Sequence, residues 1–288
     1  MTAPPARGTI ALLGHPVAHS ISPRFQQAAL DALGMQARYE AWDTKPDDLP
    51  VAIERLRSGD VLGANVTVPH KVAALRVVDR PDALAERVGA ANTIVNRGGV
   101  LEATNTDVLG ILRTFEGLGV ALQGQRVALI GAGGAARAVV TAMRMAGASR
   151  LTILNRTVER ARDLAPLAGD DLDLRFAPLD PADATFRAAL RGAVVVVQST
   201  SVGMAHGPSE GASPVPADAV GDGQVAFDLV YTPEETPFLR NAAAAGAVAV
   251  GGLDMLIHQG AASFRLWTGV EPPLEVMFQA ARAALAGR

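Results

Sequence analysis

Runs of consecutive apolar residues alternate along this chain with segments whose apolar residues recur every three or four positions. The first run, Thr9–Gly14, is typical of a buried strand. The segment after it predicts a helix with one apolar face, formed by Phe25, Ala28, Ala29 and Ala32. Because strand-like and helix-like segments keep alternating, the chain is predicted to fold as an α/β protein with mainly parallel sheets.

The same pattern places the remaining elements. Further strands are predicted at residues 37–43, 62–69, 126–130, 150–157, 193–200, 224–231 and 247–252. Further helices are predicted at residues 46–59, 70–78, 107–119, 254–269 and 272–288, with one more after a glycine-rich turn near residue 131. Residues 206–216 are rich in turn-forming residues and predict a surface loop. In the strand at 62–69, both Val66 and Val68 are expected in the core.

Composition narrows the possible functions. The chain has 288 residues, enough for two domains, and 49% of them are hydrophobic. Its net charge is −3 and only 4% of its residues are aromatic, which argues against nucleic-acid binding. It has no cysteine, so disulfides, thiolate metal sites and a cysteine nucleophile are excluded.

Other classes find no support in the sequence. The apolar run near the start is too short for a signal-peptide core, and the longest stretch without a polar residue, Ala242–Leu253, is below membrane-spanning length. The five histidines show no metal-ligand spacing, and no G-x-S-x-G nucleophile elbow occurs. A cytoplasmic protein with neither a metal nor a membrane partner is therefore expected.

A glycine-rich turn follows the predicted strand at residues 126–130. Gly131, Gly133 and Ala136 form a G-x-G-x-x-A pattern directly before a predicted helix. Gly131 would permit the tight turn, Gly133 would let backbone amides approach a pyrophosphate, and Ala136 would let the helix pack closely on the strand. The pattern predicts a dinucleotide site, with a glycine-rich corner that binds no ligand as the alternative.

The next strand indicates which dinucleotide would bind. An NAD site usually has an acidic residue at this strand end, but here the chain reads Asn155, Arg156, Thr157, with Arg160 shortly after. A planar guanidinium suits a phosphate, so the residues favour NADP over NAD. The alternative is that both arginines are simply solvated.

Polar residues also gather at the predicted strand ends in the first half. Ser20 and Ser22 follow the first strand, and Ser22 is a plausible N-cap before Pro23. Thr67 and Lys71 follow the third strand. Because ligands bind beyond the carboxyl ends of parallel strands, these side chains are candidates for substrate contacts.

Lys71 has a candidate partner further along the chain. It lies in the first turn of a predicted helix, where the helix dipole disfavours a cation. Asn92 and the segment Asn105–Asp107 supply further polar groups. If Asp107 paired with Lys71 across a cleft, the two would form an acid/base candidate. The alternative is an ordinary surface lysine.

Taken together, these motifs resemble the shikimate dehydrogenase family, in order and over nearly the whole chain. The resemblance is carried by GHPVAHSISP, GANVTVPHK, GAANT, NTD, GAGGAAR, NRTVERA, STSVGM, FDLVY, TPFL and GGLDMLIHQGAASFRLWTG. It implies reversible reduction of 3-dehydroshikimate to shikimate with NADPH. It also implies a substrate domain of residues 1–107 plus 254–288, a Rossmann-type NADP domain of residues 108–253, and a cleft between them.

The resemblance also implies roles for individual residues. Lys71 and Asp107 match the catalytic pair. Substrate contacts are implied for both of these and for Ser20, Ser22, Thr67, Asn92, Tyr231 and Gln259. Cofactor contacts are implied for Gly131, Ala132, Gly133, Gly134, Ala135, Asn155, Arg156, Thr157, Arg160, Leu229 and Gly252.

Some expectations remain open at this stage. Gln198 stands where the family pattern has Asn, and Ala103 and Thr104 also depart from it. The serine pair favours shikimate over quinate, with a broader quinate/shikimate dehydrogenase as the first alternative and a non-catalytic NADP-binding sensor as the second. The sequence leaves monomer and homodimer equally open.

Overall fold

The computed structural model describes residues 6–207 and 209–287 of the chain. Its tertiary contacts divide these residues into two units, one formed by the chain up to Gly110 and from Ile257 onward, the other by Ile111–Leu256. Each unit contains one six-stranded sheet. The divisions fall close to the predicted boundaries after residues 107 and 253, whereas the function of each unit stays a prediction.

The structure has the alternating elements that the hydrophobic pattern predicts. The strands are β1 (Arg7–Gly14), β2 (Gln36–Asp43), β3 (Val61–Val66), β4 (Arg80–Pro81), β5 (Thr93–Arg97), β6 (Val100–Thr104), β7 (Arg126–Ile130), β8 (Arg150–Asn155), β9 (Asp173–Pro178), β10 (Val195–Gln198), β11 (Val225–Asp228) and β12 (Val248–Val250). The helices are α1 (Ser22–Ala32), α2 (Leu49–Arg55), α3 (Lys71–Leu75), α4 (Ala83–Val88), α5 (Thr106–Gly117), α6 (Gly134–Met145), α7 (Val158–Arg162), α8 (Ala184–Gly192), α9 (Pro237–Ala244), α10 (Gly252–Thr268) and α11 (Leu274–Ala286). None of these helices combines the length and apolar character that a membrane crossing needs.

The sheet of the first unit is mixed, and its topology collects polar residues at one edge. The strand order is β2-β1-β3-β5-β6-β4, with β5 antiparallel to both β3 and β6. In register, Asn65 pairs with Thr93, and Thr93 pairs with Thr104. The carboxyl ends of β3 and β6 therefore lie beside the start of β5, which brings together the residues that follow or precede these three strand ends.

The β5–β6 hairpin was not predicted, although the sequence carried a signal for it. Arg97 pairs with Val100, so Gly98 and Gly99 form a two-residue loop. Their φ angles are 64° and 92°, which suits the left-handed turns that join antiparallel strands tightly. The β-branched run before the Gly-Gly pair was the sequence signal.

Most of helix α10, from Ile257 onward, belongs to the first unit, and it packs on the sheet of that unit. Gln259, Ser263 and Trp267 are four residues apart and share one helical face. The indole Nε1 of Trp267 donates to the carbonyl of Ile94 at 2.9 Å. A side chain at Gly63 would come within 2.7 Å of this indole nitrogen, so the glycine gives the helix room to pack on the sheet. Gln259 and Ser263 are thereby placed over the same strands.

The sheet of the second unit is wholly parallel. Its order is β12-β11-β10-β7-β8-β9, which is the doubly wound order of dinucleotide-binding domains. The strand order reverses between β7 and β10, and loops at such a reversal form the usual ligand crevice. Strand β9 was not predicted because its short sequence, DLRFAP, mixes charged and apolar residues.

The expectation that Val68 belongs to the strand core is wrong. Strand β3 ends at Val66, and 67% of the Val68 surface is exposed. The carbonyl of Thr67 accepts a hydrogen bond from the amide of His70 at 2.8 Å, so the chain turns immediately after the strand. Only Val66 is buried, at 2% exposure.

Candidate active site

Lys71 and Asp107, predicted as a pair, form an ion pair within the first unit. Lys71 Nζ donates to Asp107 Oδ2 at 2.6 Å, and the two side chains are only 20% and 8% exposed. Lys71 opens α3 and Asp107 lies in the first turn of α5. The start of a helix is favourable for a carboxylate and unfavourable for an ammonium group. The carboxylate of Asp107 therefore offsets the unfavourable position of Lys71.

Asn92, for which a substrate contact is expected, bonds to this pair, and Gln259 bonds to Asn92. Asn92 Nδ2 donates to Asp107 Oδ1 at 2.8 Å and to Gln259 Oε1 at 3.2 Å. Asn92 is 2% and Gln259 7% exposed. The aspartate therefore has each oxygen bonded to a different donor, which fixes the plane of its carboxylate.

Thr67, Ser20 and Ser22 lie on the loops after β3 and β1. The amide of Thr67 donates to the carbonyl of Leu13 at 2.8 Å, which ties the two loops together at their start. Ser20 Oγ accepts from the amide of Ser22 at 3.2 Å. The proposed N-cap role of Ser22 is wrong: Ile21 occupies the N-cap position, Ser22 begins the helix, and the nearby serine hydroxyl binds its amide.

A set of buried polar residues lies behind Asn92. It comprises Thr106, which belongs to the polar segment noted in the sequence, and Tyr39, Asn65, Thr93 and Ser263, which were not predicted as part of the site. Asn65 Nδ2 donates to Thr93 Oγ1 and to Ser263 Oγ at 3.2 and 3.1 Å. Asn65 is the one polar side chain of β3, and its partners come from distant parts of the sequence.

The glycine-rich turn of the second unit lies between β7 and α6. Gly131 has a φ of 100°, and a side chain there would come within 2.7 Å of Thr200 Cγ2. Gly133 and Gly134 are exposed and have no positive φ, and a β-carbon added at either would meet no atom within 4 Å. Since neither packing nor backbone conformation demands these two glycines, the open space fits the close approach of a pyrophosphate to the start of α6.

The other residues predicted around this turn share its setting. Ala132 and Ala135 are half-buried beside the glycines, and Ala136 is fully buried where α6 packs on the sheet. Gln198 at the end of β10 accepts from the amide of Thr200 at 2.5 Å and donates to the carbonyl of Val202 at 3.0 Å. The side-chain amide of Gln198 thus stabilises the loop that packs against Gly131.

Two further predicted cofactor residues, Leu229 and Gly252, are neighbours in the second unit. A side chain at Gly252 would come within 2.7 Å of the Leu229 carbonyl carbon, so only glycine fits beside this loop. Tyr231, predicted to contact substrate, follows on the same loop and is half-buried.

Asp228 anchors the loop that carries Leu229 and Tyr231. Its carboxylate accepts from the amide of Val230 at 2.9 Å and from the hydroxyl of Thr236 at 2.7 Å. Burial raises the pKa of the Asp228 carboxyl to about 6, while the bonds from Thr236 and Val230 oppose the rise.

Arg156 and Arg160 lie at the turn between β8 and α7. Both are exposed, and neither forms an ion pair with any residue that the structure describes. Asn155 Nδ2 donates to the carbonyl of Thr157 at 2.7 Å and so fixes the turn. Two cations without a carboxylate partner suit a phosphate group.

No group of three or more metal-ligating side chains occurs in residues 6–207 and 209–287. The first unit offers hydrogen-bonding and charged side chains, and the second unit offers a glycine-rich turn.

Comparison with known proteins gives matches along most of the chain. The family described as shikimate dehydrogenase substrate binding domain matches residues 12–94. Shikimate / quinate 5-dehydrogenase matches residues 114–205, and the shikimate 5'-dehydrogenase C-terminal domain matches residues 252–282.

Individual proteins agree with these matches. Shikimate dehydrogenase (NADP(+)) of Moorella thermoacetica is 46% identical over 96% of this chain and 94% of its own. The crystal structure of shikimate 5-dehydrogenase from Thermus thermophilus in complex with NADP(H) and shikimate is 42% identical, covers 96% of this chain and all of its own, and superposes with a TM-score of 0.86. Quinate dehydrogenase from Corynebacterium glutamicum in complex with NAD has a TM-score of 0.88 over 96% of this chain and 99% of its own, at 28% identity. The chain belongs to the shikimate dehydrogenase family.

Proposed function

We propose that this chain catalyses the reversible, NADPH-dependent reduction of 3-dehydroshikimate to shikimate. The observation that carries the proposal is the Lys71–Asp107 ion pair, held at 2.6 Å and backed by Asn92. A family relationship alone would not fix an activity, because one fold can host several functions. The half-buried, hydrogen-bonded lysine supplies the proton-donating group that reduction of a ketone to an alcohol requires.

In this proposal Lys71 acts on the substrate oxygen. NADPH, when bound, supplies the hydride for the ring ketone. Lys71 Nζ then donates a proton to the developing alkoxide or stabilises its negative charge. Asp107 holds the ammonium group in place through its 2.6 Å bond. In the reverse direction the same lysine accepts the proton from the shikimate hydroxyl.

The remaining polar residues of the first unit bind the substrate. Thr67, Asn92 and Gln259 offer hydroxyl and amide groups for ring hydroxyls, while Ser20 and Ser22 offer hydroxyl donors for the carboxylate. Tyr231 is a further proposed carboxylate contact. Because these are directional donors and acceptors, they would orient the ring as well as bind it.

The residues of the second unit favour NADP over NAD as the cofactor. The turn around Gly131 and Gly133 would hold the pyrophosphate at the start of α6. Arg156 and Arg160 would bind the 2′-phosphate, and Leu229 and Gly252 would line the nicotinamide. The absence of a carboxylate partner for either arginine among the described residues supports this assignment.

An assay of cofactor reduction tests the proposal directly. The purified protein is incubated with shikimate or quinate, each with NADP or NAD, and the formation of reduced cofactor is followed. We expect the highest kcat/KM with shikimate and NADP. Faster turnover of quinate would favour the broader-specificity alternative, and no reduction with either acid would refute the proposed activity and favour a binding protein.

Cytoplasmic location and a monomeric or homodimeric state stay predictions. Light scattering of the purified protein would determine the oligomeric state.

A further inference from the structure

A buried hydrogen-bond network lies behind the ion pair and reaches it through Asn92. Its outer members are Tyr39 on β2, Asn65 on β3 and Ser263 on α10, which are 6%, 6% and 0% exposed. In the proposed function none of the three touches substrate or cofactor. Buried polar groups are costly unless they are bonded, so such a network is a specific feature of the fold.

Backbone groups fix the orientation of the Asn92 amide. The amide N–H of Thr106, which can only donate, binds Asn92 Oδ1 at 2.7 Å. This N–H lies at the first position of α5 and has no partner within the helix. Asn92 Nδ2 must therefore point to Asp107 Oδ1, which it reaches at 2.8 Å. A flipped amide would place its oxygen against the carboxylate.

The orientation of Asn65 is fixed in the same way. Its Nδ2 donates to the backbone carbonyl of Asn92 at 3.1 Å, and its Oδ1 accepts from the hydroxyl of Tyr39 at 2.8 Å. Burial raises the pKa of Tyr39 far above its usual range, so its hydroxyl stays a donor. The direction of every hydrogen bond from Tyr39 to Asn92 is thus determined.

Ser263 connects the network to α10. Its hydroxyl donates to the carbonyl of Gln259 at 3.0 Å, so its oxygen is left to accept from Asn65 Nδ2 at 3.1 Å. The oxygen also lies 2.7 Å from Thr93 Oγ1 and 3.0 Å from Thr106 Oγ1. The helix that carries Gln259 is thereby tied to the strands that carry Asn65 and Asn92.

We propose that Tyr39, Asn65 and Ser263 are positioning residues that hold the Asp107 carboxylate, through Asn92, in the orientation that aligns Lys71. The inference rests on the proposed function. It assigns to these three buried residues a part in turnover as well as in folding. Small misplacements of a catalytic group lower the rate strongly, so removal of one hydrogen bond in this network is expected to lower kcat.

A double-mutant cycle on kcat tests the inference. Asn65→Ala is made in the wild-type protein and in the Asp107→Asn variant, and shikimate oxidation is measured with saturating NADP. We expect Asn65→Ala to lower kcat on the order of tenfold with Asp107 present and by less than about twofold with Asp107→Asn, because residues that act through one group are not additive. Tyr39→Phe, which removes a single hydroxyl, is the second variant and should show the same dependence on Asp107.

Asn96→Ala is the matched control. Asn96 lies on β5, the strand next to that of Asn65, and its amide likewise donates to backbone carbonyls, those of Ser58 and Val61, both at 2.9 Å. The hydrogen bonds of its side chain go to Ser58, Val61 and Gly99 and not to the network, so kcat should stay within about twofold of the wild-type value even if stability falls. Equal effects of Asn65→Ala in both backgrounds, or an equal loss of kcat with Asn96→Ala, would overturn the inference and leave the proposed function standing. Wild-type protein without turnover of shikimate would overturn both.

Discussion

Lys71 and Asp107 carry opposite charges at the starts of two helices, and the consequences for the two residues differ. The dipole of α5 stabilises the aspartate, whereas the dipole of α3 opposes the lysine. The 2.6 Å bond between them holds the lysine at a strand end where it would otherwise turn to solvent. The charge that the proposed chemistry needs is therefore kept in place by its partner.

Asp228 provides a pH-dependent test at the residue scale. Its pKa is raised by burial to about 6, above its value in the unfolded chain, so the folded state binds the proton more tightly. The stabilisation is present below the unfolded pKa and is lost as the pH rises through about 6. Between pH 4.5 and 7.5 the free energy of unfolding of the wild-type protein should fall by about 2 kcal/mol relative to that of Asp228→Asn, since one pKa unit corresponds to 1.36 kcal/mol.

Urea unfolding of both proteins at the two pH values measures this difference. Asn can still accept from the amide of Val230 and donate to the oxygen of Thr236, so the loop should keep its conformation. Other titrating groups are common to the two proteins and cancel. A stability difference that does not change with pH would show that Asp228 does not titrate in this way.

Single residues also show where reasoning from sequence reaches its limit. Lys71 and Asp107 could be proposed as a pair because Lys71 follows a predicted strand end and the family motifs match both residues to the catalytic pair. The role of Asn65 could not, since Ser263 is 198 positions away and α10 must first return to the sheet. Val68 was misplaced because alternation alone does not show where a strand ends.

At the scale of elements, the β7–α6 turn contains one glycine that the backbone conformation requires and another that leaves space for a ligand. Gly131 has a φ of 100° and lies against Thr200, whereas Gly133 has a φ of −86° and open space around it. We expect Gly131→Ala to lower the free energy of unfolding by roughly 1–3 kcal/mol. Gly133→Ala should have a free energy of unfolding within about 1 kcal/mol of the wild-type value. It should bind NADP at least about tenfold more weakly, because its methyl group would occupy the pyrophosphate position.

Denaturant unfolding and calorimetric titration with NADP separate the two effects. Each variant serves as the control for the other. Unchanged NADP affinity in Gly133→Ala would contradict the assignment of this turn to the cofactor.

The β8–α7 turn allows a test of cofactor choice. Arg156→Ala should raise the KM for NADP by about 10- to 100-fold and leave the KM for NAD nearly unchanged, because a charge-assisted bond to phosphate contributes about 1.5–3 kcal/mol. Arg162→Ala is the control, since Arg162 is an exposed arginine at the end of the helix that follows this turn and lies 3.6 Å from Glu159. Equal changes for the two cofactors would mean that Arg156 does not bind the 2′-phosphate.

Elements with a strong local sequence signal were predicted well, whereas strands that depend on pairing with a neighbouring strand were not. The β7–turn–α6 unit has an apolar strand, three glycines and a long helix, so its sequence leaves little choice. The β5–β6 hairpin was missed because its local signal, a Gly-Gly loop of two residues, conflicts with the parallel strands that the rest of the pattern predicts. Its direction matters for function, since an antiparallel β5 places Asn92 beside the ends of β3 and β6.

At the scale of the molecule, the two units divide the proposed work. The first unit contains the ion pair, the network behind it and every proposed substrate-binding residue except Tyr231. The second contains the glycine-rich turn and the arginines, on loops of a parallel sheet. The hydrophobic pattern predicted both sheets, while the mixed topology of the first depended on register that no local pattern reveals.

The central claim is that Lys71 acts on the reacting oxygen. Lys71→Ala should lower kcat for shikimate oxidation by roughly 10²- to 10⁴-fold, while the dissociation constant for shikimate stays within about threefold of wild type. The only other lysine in the sequence, the exposed Lys45, provides the control, and Lys45→Ala should leave both quantities unchanged. Measuring kcat and shikimate binding for these variants is the most direct test: a large loss of kcat confined to Lys71→Ala is predicted, and an unchanged kcat in Lys71→Ala would contradict the account.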